Sequence, residues 1–243
     1  MEYFFTVEEH FPAGVGFELF DARHIMWLAV CTVIVLLFCG CYRRLSDTGR
    51  RRFRRFTGLL ILLCEVTRDA HLILAGVFSV YYLPLHLCGL AMFFCFYHCL
   101  FGGETTANFL YSTCMPGAVF ALVFPDWTGT PAFCLESMLS FLIHALIVCY
   151  PLLLICSGEL KPKMKYLPRC LLILLALAIP VYAFDRIFRA NYMFLLSPAP
   201  DSPLEWFAGF LGSPGYILGY IPIIAAVWLL LYLPAMRREL KQD

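Results

Sequence analysis

Seven apolar stretches, each close to the length of a membrane-spanning helix, recur along the 243-residue chain and constrain its fold more than any other feature. A bilayer core of about 30 Å needs roughly 20 apolar residues in each helix. The pattern predicts an all-α, polytopic membrane protein with about seven transmembrane helices. Counts of six and eight stay open, because the third and fourth stretches are short and the last could tilt or break at Gly212–Gly215. The predicted spans are His24–Tyr42, Thr57–Val80, Leu85–Leu100, Asn108–Phe124, Phe133–Cys156, Cys170–Ile187 and Trp206–Leu233.

The composition excludes a soluble domain. Hydrophobic residues make up 61% of the chain and charged residues only 14%, whereas soluble domains carry about 25% charged residues. A formal net charge of +1 gives no basis for nucleic-acid binding. Membrane lipids are the predicted partners, no cofactor or metal site is predicted, and the oligomeric state stays open.

Basic residues cluster after the first and fifth apolar stretches and near the C-terminus, which all fall on one side of the predicted bundle. The positive-inside rule places that side in the cytoplasm. An odd number of helices then puts the acidic N-terminal segment outside. We therefore predict an extracellular segment at 1–23, a seven-helix bundle at 24–233 and a cytoplasmic tail at 234–243. The basic residues concerned are Arg43, Arg44, Arg50, Arg51, Arg52, Arg54, Arg55, Lys161, Lys163, Lys165, Arg169, Arg237, Arg238 and Lys241.

The second apolar stretch contains charged residues. Glu65, Arg68 and Asp69 share one helix face about 100° wide, and His71 lies to one side. Each such charge costs about 2.5–3.5 kcal/mol on insertion scales, so these groups must face the bundle interior or water. Two interpretations stay open: an ionic lock inside the bundle, or a polar wall that faces a substrate or ion.

Two histidines and a cysteine are candidates for chemistry. His86 and Cys88 follow Pro84 at the outer mouth of the third stretch, and a nearby histidine can convert a thiol into a nucleophile. His144 lies in the middle of the fifth stretch, where it is a candidate general base. The alternative interpretation is that these side chains only form hydrogen bonds between helices.

Two outer loops add further polar residues. Asp126 and Trp127 lie in a turn rich in proline and glycine, and Asn191 and Tyr192 precede two prolines. We predict that the polar residues of these loops converge with the two histidines and the cysteine on one cavity in the outer half of the bilayer, because each needs a polar partner or water there. Alternatively, Trp127 and Tyr192 are anchors in the interfacial aromatic belt.

Several short motifs along the chain carry a family resemblance. They are Phe17-Glu18-Leu19-Phe20 with His24, Leu83-Pro84-Leu85-His86-Leu87-Cys88, Gly117-Ala118-Val119 with Pro125-Asp126, Phe141 with His144, Asn191-Tyr192-Met193-Phe194-Leu195 with Pro198, and Tyr232-Leu233-Pro234. In order and spacing they resemble the bacterial YwaF-like integral membrane family over nearly the whole chain. The sequence departs from that pattern at Arg189-Ala190, where small residues are usual, and at Ala145, where glycine is usual. This resemblance implies a multi-pass protein of a bacterial inner membrane.

The chain is also distantly similar to the eukaryotic transmembrane protein 164 family. That similarity implies acyl transfer on ether phospholipids through a cysteine and a histidine. The histidine of that family matches His86, while Leu85 stands where the family has its cysteine. Cys88, two residues beyond the histidine, would have to supply the thiol instead.

Two functions from different classes follow. The leading hypothesis is a membrane-embedded lipid-modifying enzyme, an acyltransferase or lipid hydrolase. His86 or His144 would be its general base and Cys88 its nucleophile, while Asp126 or Asn191 would orient the acyl group or donate to its oxyanion. The alternative is a transporter or ligand-binding membrane protein with a polar path along the second helix. The predicted substrate-binding residues are Glu65, Arg68, Asp69, Asp126, Asn191 and Tyr192.

Overall fold

The fold is built from helices. The computed structural model describes residues 3–239, without the side chains of Glu9 and of residues 234–239. Helices make up 73% of the structure, and the described range contains no β-strand. The helices are α1 (Ala22–Arg43), α2 (Asp47–Leu74), α3 (Leu87–Phe101), α4 (Glu104–Val123, with one π turn), α5 (Leu135–Cys156), α6 (Leu167–Phe188), α7 (Pro203–Leu211) and α8 (Tyr220–Glu239).

Five of the described helices are long and apolar enough to cross a membrane, namely α1, α4, α5, α6 and α8. The helix α3 is apolar but has only 15 residues, and α2 has 28 residues but carries many charges. The predicted class, an all-α multi-pass membrane protein, is confirmed. The number of crossings stays a prediction.

The helix α2 begins at Asp47 rather than at the predicted Thr57, so the arginines at 50–55, which the predicted spans leave in the connection after the first helix, are helical instead. Ser46 caps the helix, because its hydroxyl accepts a hydrogen bond from the Gly49 N–H at 3.3 Å. Arginine also has a high helix propensity. The arginines at 50–55 therefore extend α2 beyond its apolar part, and their charges lie on helical turns.

The last predicted span consists of two helices. The helix α7 ends just before Gly212, which adopts a φ of +67°, a left-handed conformation that terminates helices. Of the two alternatives for this stretch, a tilt or a break at Gly212–Gly215, the structure shows a break. The helix α8 continues to Glu239, so the predicted tail at 234–243 begins as helix, and residues 240–243 lie outside the described part of the chain.

Consecutive helices run in alternating directions, so their connections gather at two ends. The first, which we call the loop end, contains residues 3–21, 75–86, 124–134 and 189–219. Backbone hydrogen bonds join its segments: the Phe17 N–H donates to the Thr128 carbonyl oxygen at 3.0 Å, and the Leu135 N–H donates to the Phe4 carbonyl oxygen at 2.9 Å.

The opposite end, which we call the basic end, contains residues 44–46, 102–103 and 157–166 with the adjoining helix termini. Glu159 accepts a hydrogen bond from the Tyr42 hydroxyl at 2.8 Å and forms an ion pair with Arg54. The Lys163 N–H donates to the Asn108 Oδ1 at 3.1 Å. These contacts place basic residues from α2 and from the connection after α5 at the same end of the bundle.

The centre of the bundle is α5, which packs against α1, α2, α3 and α4. Of the apolar windows, 61% of α4 and 56% of α5 are buried inside the protein, compared with 11% for α1 and α6. The peripheral helices expose large apolar side chains such as Leu36 and Leu172. Apolar faces of this extent need a cover of lipid or protein, whereas much of α5 is covered by the other helices of the bundle.

Candidate functional site

A polar cluster lies in the half of the bundle nearest the loop end. On α2, Arg68 forms ion pairs with Glu65 and with Asp69, whose Oδ1 lies 3.7 Å from the Arg68 Nη2. Glu65 is only 5% exposed. At 1.5 Å per residue, Glu65 lies about 14 Å from the loop-end terminus of α2. The predicted shared face therefore brings the three charges together deep in the bundle.

His144 is held in one tautomer and one orientation. Its Nδ1 lies 2.7 Å from the carbonyl oxygen of Ser140. A carbonyl oxygen only accepts, so Nδ1 carries the ring proton and Nε2 keeps its lone pair. The ring stacks on Trp127, with centroids 5.1 Å apart and planes 22° apart. His144 lies about 14 Å from the start of α5, close to the depth of Glu65 on α2.

His86 is the N-cap residue of α3. Its ring proton lies on the other nitrogen from that of His144. The Met193 N–H donates to the His86 Nδ1 at 3.3 Å, so the ring proton lies on Nε2. The ring packs edge-on against Tyr192, with centroids 4.9 Å apart. Burial lowers the pKa of His86, and attraction to Asp126 and Asp185 opposes this shift only in part. The imidazole is therefore neutral at pH 7 and presents an N–H at Nε2.

Cys88 lies in the first turn of α3 and packs against the hydrophobic core. Its thiol interacts electrostatically with Asp126 and Glu65. Among the described residues, no hydrogen bond joins Cys88 to His86 or His144. The predicted thiol–imidazole pair therefore stays a prediction.

Asp126 links these groups. It is exposed in the connection between α4 and α5 and interacts electrostatically with His86, Cys88 and His144. Both histidines also interact with Arg68. The structure thus gathers side chains from α2, α3, α5 and a loop around one region. Within residues 3–239, no group of three or more His, Cys, Asp or Glu side chains could hold a metal ion.

The loop that follows α6 covers His86. Asn191 uses its side chain inside this loop: Nδ2 donates to the carbonyl oxygen and hydroxyl of Ser197 at 3.0 and 2.8 Å, and Oδ1 accepts from the Ser197 N–H at 3.0 Å. The Tyr192 hydroxyl donates to the Val80 carbonyl oxygen at 2.7 Å. Burial raises the pKa of Tyr192 to about 12, so its phenol stays neutral. The structure brings Tyr192 into ring contact with His86, while Asn191 organises the loop.

Asp185 on α6 is a polar group that the sequence analysis does not single out. It is fully buried, its Oδ1 accepts from the Tyr192 N–H at 3.0 Å, and it interacts electrostatically with His86. Its Oδ2 is buried without a hydrogen-bond partner in the described structure. The sequence does contain a signal that could have identified Asp185. It is an acidic residue within an apolar stretch, as Glu65 is.

Trp127 orients His144 through a chain of aromatic contacts. Besides stacking on His144, it meets Phe141 edge-on with centroids 5.3 Å apart. Phe141 in turn stacks on Trp27 of α1 at 5.1 Å and 3°. Trp127 therefore packs against the central helix and contacts the ring of His144.

The family comparison covers nearly all of this architecture. The TMEM164 family matches residues 19–232, a range that contains the whole polar cluster. The chain belongs to the TMEM164 family. No curated protein and no solved structure matches it at a significant level. Of the two resemblances seen in the sequence, the match supports the one to the transmembrane protein 164 family.

One position distinguishes this TMEM164-family protein from the pattern that the resemblance implies. Leu85 stands before His86, where the resemblance implies a cysteine. Leu85 packs in a small apolar cluster with Tyr192 and Ala190. The position before the histidine is therefore part of the packing under the loop and supplies no thiol.

Proposed function

We propose that this TMEM164-family protein is a membrane-embedded enzyme that transfers or hydrolyses acyl chains of membrane lipids near the loop end. The observation that carries the proposal is a pair of imidazoles with opposite polarity: the His144 Nε2 keeps a lone pair and the His86 Nε2 carries a proton. Acyl transfer needs both, since the nucleophile loses a proton and the carbonyl oxygen gains negative charge. Asp126, which interacts electrostatically with both rings, supports their acting at one site.

In the proposed reaction, His144 takes the proton of the Cys88 thiol as its sulfur attacks a lipid ester carbonyl. His86 donates to the oxyanion. The ester C–O bond breaks, the lysolipid alkoxide takes the proton from His144, and the acyl chain stays on sulfur as a thioester. His144 then takes the proton of a second lipid hydroxyl, or of water, as that oxygen attacks the thioester. The C–S bond breaks, a new ester or a free fatty acid leaves, and the thiolate takes the proton back from His144.

Comparative lipid mass spectrometry of membranes with and without the protein tests this proposal. We expect a difference in the acyl composition of phospholipids, and we expect His144→Ala and Cys88→Ala to abolish it. Cys95→Ala is the matched control, because Cys95 lies fully buried on the same helix and should leave the difference intact. Activity that survives Cys88→Ala but not His144→Ala would mean direct attack by the acceptor hydroxyl without a thioester. Identical lipids with and without the protein would contradict the proposal.

A transporter is the second candidate, and one observation favours it. On α2, the Arg68 Nε and His71 Nε2 are buried without hydrogen-bond partners in the described part of the chain. Buried polar atoms without protein partners are typical of sites that hold water. Solute uptake by proteoliposomes that is lost in Arg68→Ala, with unchanged lipid composition, would favour transport over acyl chemistry.

We also propose that the bundle crosses the membrane seven times, with the loop end outside and the basic end in the cytoplasm. The helices α2 and α3 supply the two crossings beyond the five apolar spans, and the clustered basic residues support the orientation. A bacterial inner membrane and a relationship to the YwaF-like family belong to the same proposal, and the motifs shared with that family support them.

A native cysteine makes the orientation testable, because Cys41 is exposed near the basic end. A membrane-impermeant maleimide should label Cys41 only after permeabilisation, while Ala13→Cys at the loop end should be labelled in intact cells. Loss of this labelling in the Cys41→Ala variant would show that the signal comes from Cys41 and not from another native cysteine. Labelling of Cys41 in intact cells would contradict the proposed orientation.

A further inference from the structure

The basic end contains a cavity that lies far from the polar cluster. Its volume is about 410 Å³, and it is an open cavity lined by α2, the end of α3, the start of α4 and the connection after α5. The proposed acyl chemistry at the loop end leaves this cavity without a function. The polar residues that line it include Arg54, His98, Asn108, Lys161 and Lys163.

His98 contributes an N–H to this cavity. The ring is only 8% exposed, and its Nδ1 lies 3.0 Å from the hydroxyl of the fully buried Tyr150. A buried phenol needs an acceptor, and within the described residues the His98 Nδ1 is the one that Tyr150 meets. Tyr150 therefore donates, and the His98 Nε2 carries the ring proton. Because Nδ1 is turned toward Tyr150, the opposite edge of the ring offers its N–H to the cavity.

Arg54 and Lys161 add positive charge. Arg54 forms an ion pair with Glu159, yet its Nε is buried without a hydrogen-bond partner in residues 3–239. Lys163 is paired with Glu104 at 3.2 Å, whereas the exposed Lys161 takes part in no ion pair within the described part of the chain. The lining thus contains three cationic side chains, those of Arg54, Lys161 and Lys163. It also contains two carboxylates, those of Glu104 and Glu159, so one positive charge is in excess.

The walls of the cavity are held in place by backbone contacts. The Asn108 side chain accepts from the Lys163 N–H at 3.1 Å and donates to the Glu104 carbonyl oxygen at 2.7 Å. The Leu160 N–H donates to the Leu154 carbonyl oxygen at 2.9 Å. These bonds hold the backbone of the connection after α5 against α4.

We infer that this cavity binds a phosphate group, either the headgroup of an anionic lipid or the phosphate of a soluble molecule. His98, Arg54 and Lys161 lie on separate elements of the lining, and a phosphate presents several acceptor oxygens that can meet an imidazole N–H, a guanidinium and an ammonium together. Charge-assisted hydrogen bonds of this kind are stronger than neutral ones. The site needs nothing from the acyl chemistry proposed at the loop end, so either proposal can fail without the other.

Thermal unfolding of the purified full chain tests the inference with two probes. In neutral detergent, sodium phosphate is compared with sodium chloride at equal ionic strength. In nanodiscs, phosphatidylcholine with added phosphatidate is compared with phosphatidylcholine alone. Stabilisation by inorganic phosphate supports a soluble ligand, and stabilisation by phosphatidate alone supports a lipid headgroup. No stabilisation by either probe would overturn the inference.

Two variants and a matched control locate the effect. Lys161→Ala should weaken phosphate binding about tenfold, since it removes one charge-assisted contact. Lys165→Ala is the control, because Lys165 is an exposed lysine of the same connection that does not line the cavity. His98→Gln should also weaken binding, and Lys161→Ala keeps the test decisive if that variant misfolds. Equal weakening by Lys161→Ala and Lys165→Ala would indicate general charge attraction and would overturn the assignment to the cavity.

Discussion

Pairs of basic and acidic residues occur at both ends of the bundle, but their surroundings differ. Near the loop end, the Glu65 side chain is 7% exposed where it meets Arg68. At the basic end, the Glu159 side chain is 27% exposed where it meets Arg54, and the Glu104 side chain is 59% exposed where it meets Lys163. The contact itself does not determine how much each pair contributes to stability. The contribution depends on whether water can solvate the acid once its cation is removed.

The difference follows from how deeply each acid is buried in the bundle. Glu65 lies about 14 Å from the nearer end of α2, where a lone carboxylate has no water to replace its partner. Glu104 and Glu159 lie at helix ends, where water and lipid headgroups can solvate them. The buried Glu65–Arg68 pair is therefore expected to control stability, and the basic-end pairs are expected to contribute little to it.

The largest expected effect is that of Arg68→Ala, which leaves Glu65 and Asp69 without their cation. We expect a loss of about 3–5 kcal/mol in the free energy of unfolding, as for other broken buried pairs. Unfolding of the purified protein in detergent, followed by circular dichroism, measures the change. A fully stable but inactive Arg68→Ala protein would show that the three charges are functional and do not form an ionic lock.

The combined replacement of Glu65→Ala, Arg68→Leu and Asp69→Ala should recover part of this loss. Removing the acids together with the cation leaves no buried charge, and such exchanges are often neutral or stabilising by about 1–4 kcal/mol relative to the intact pair. The same unfolding assay compares the triple variant with Arg68→Ala. A triple variant that is less stable than the single one would contradict mutual compensation.

A smaller effect is expected for Arg54→Ala at the basic end. Its side chain is 20% exposed and its partner Glu159 also accepts from Tyr42, so the acid keeps a donor. We expect a loss of about 1 kcal/mol, at the upper end for exposed pairs. Arg52→Ala is the control, since Arg52 is exposed on the same part of α2. A loss as large as that of Arg68→Ala would remove the distinction between the two ends.

The smallest effect is expected for Lys163→Ala. Its ammonium meets Glu104 at 3.2 Å, but both side chains are largely exposed, at 44% and 59%. Salt screens such pairs, and many of them contribute nothing measurable. We expect an unchanged melting temperature at physiological salt. A drop larger than that of Arg54→Ala would mean that Lys163 supports the connection after α5 in another way.

Much of the fold could be predicted, because its signals are local. Apolar stretches predict the helices, and the glycines at Gly212–Gly215 predict the break before α8. The start of α2 could not be found in this way, since the arginines at 50–55 are polar but helix-forming, and the Ser46 cap lies outside the apolar stretch. A helix boundary depends on capping and propensity as well as on hydrophobicity.

The sequence pointed to several candidate residues of the site, but it did not show which residues contact one another. Isolated polar residues in apolar stretches identify Glu65, Arg68 and His144, and the same signal was available for Asp185. Their partners could not be predicted, because contacts such as that of Trp127 with His144 depend on how loops pack on helices distant in sequence. The use of Asn191 inside its own loop is a further result that residue type does not reveal.

Hydrophobicity and helical spacing are local properties of the chain, and they were enough to predict a helical membrane protein in which Glu65, Arg68 and Asp69 share a face. The position of the proton on the His86 ring, in contrast, depends on the tertiary structure. The Ser140 carbonyl oxygen lies one turn before His144 on the same helix, but the Met193 N–H reaches His86 from a loop more than a hundred residues away. Which ring nitrogen carries a proton depends on such partners, and these are chosen by packing.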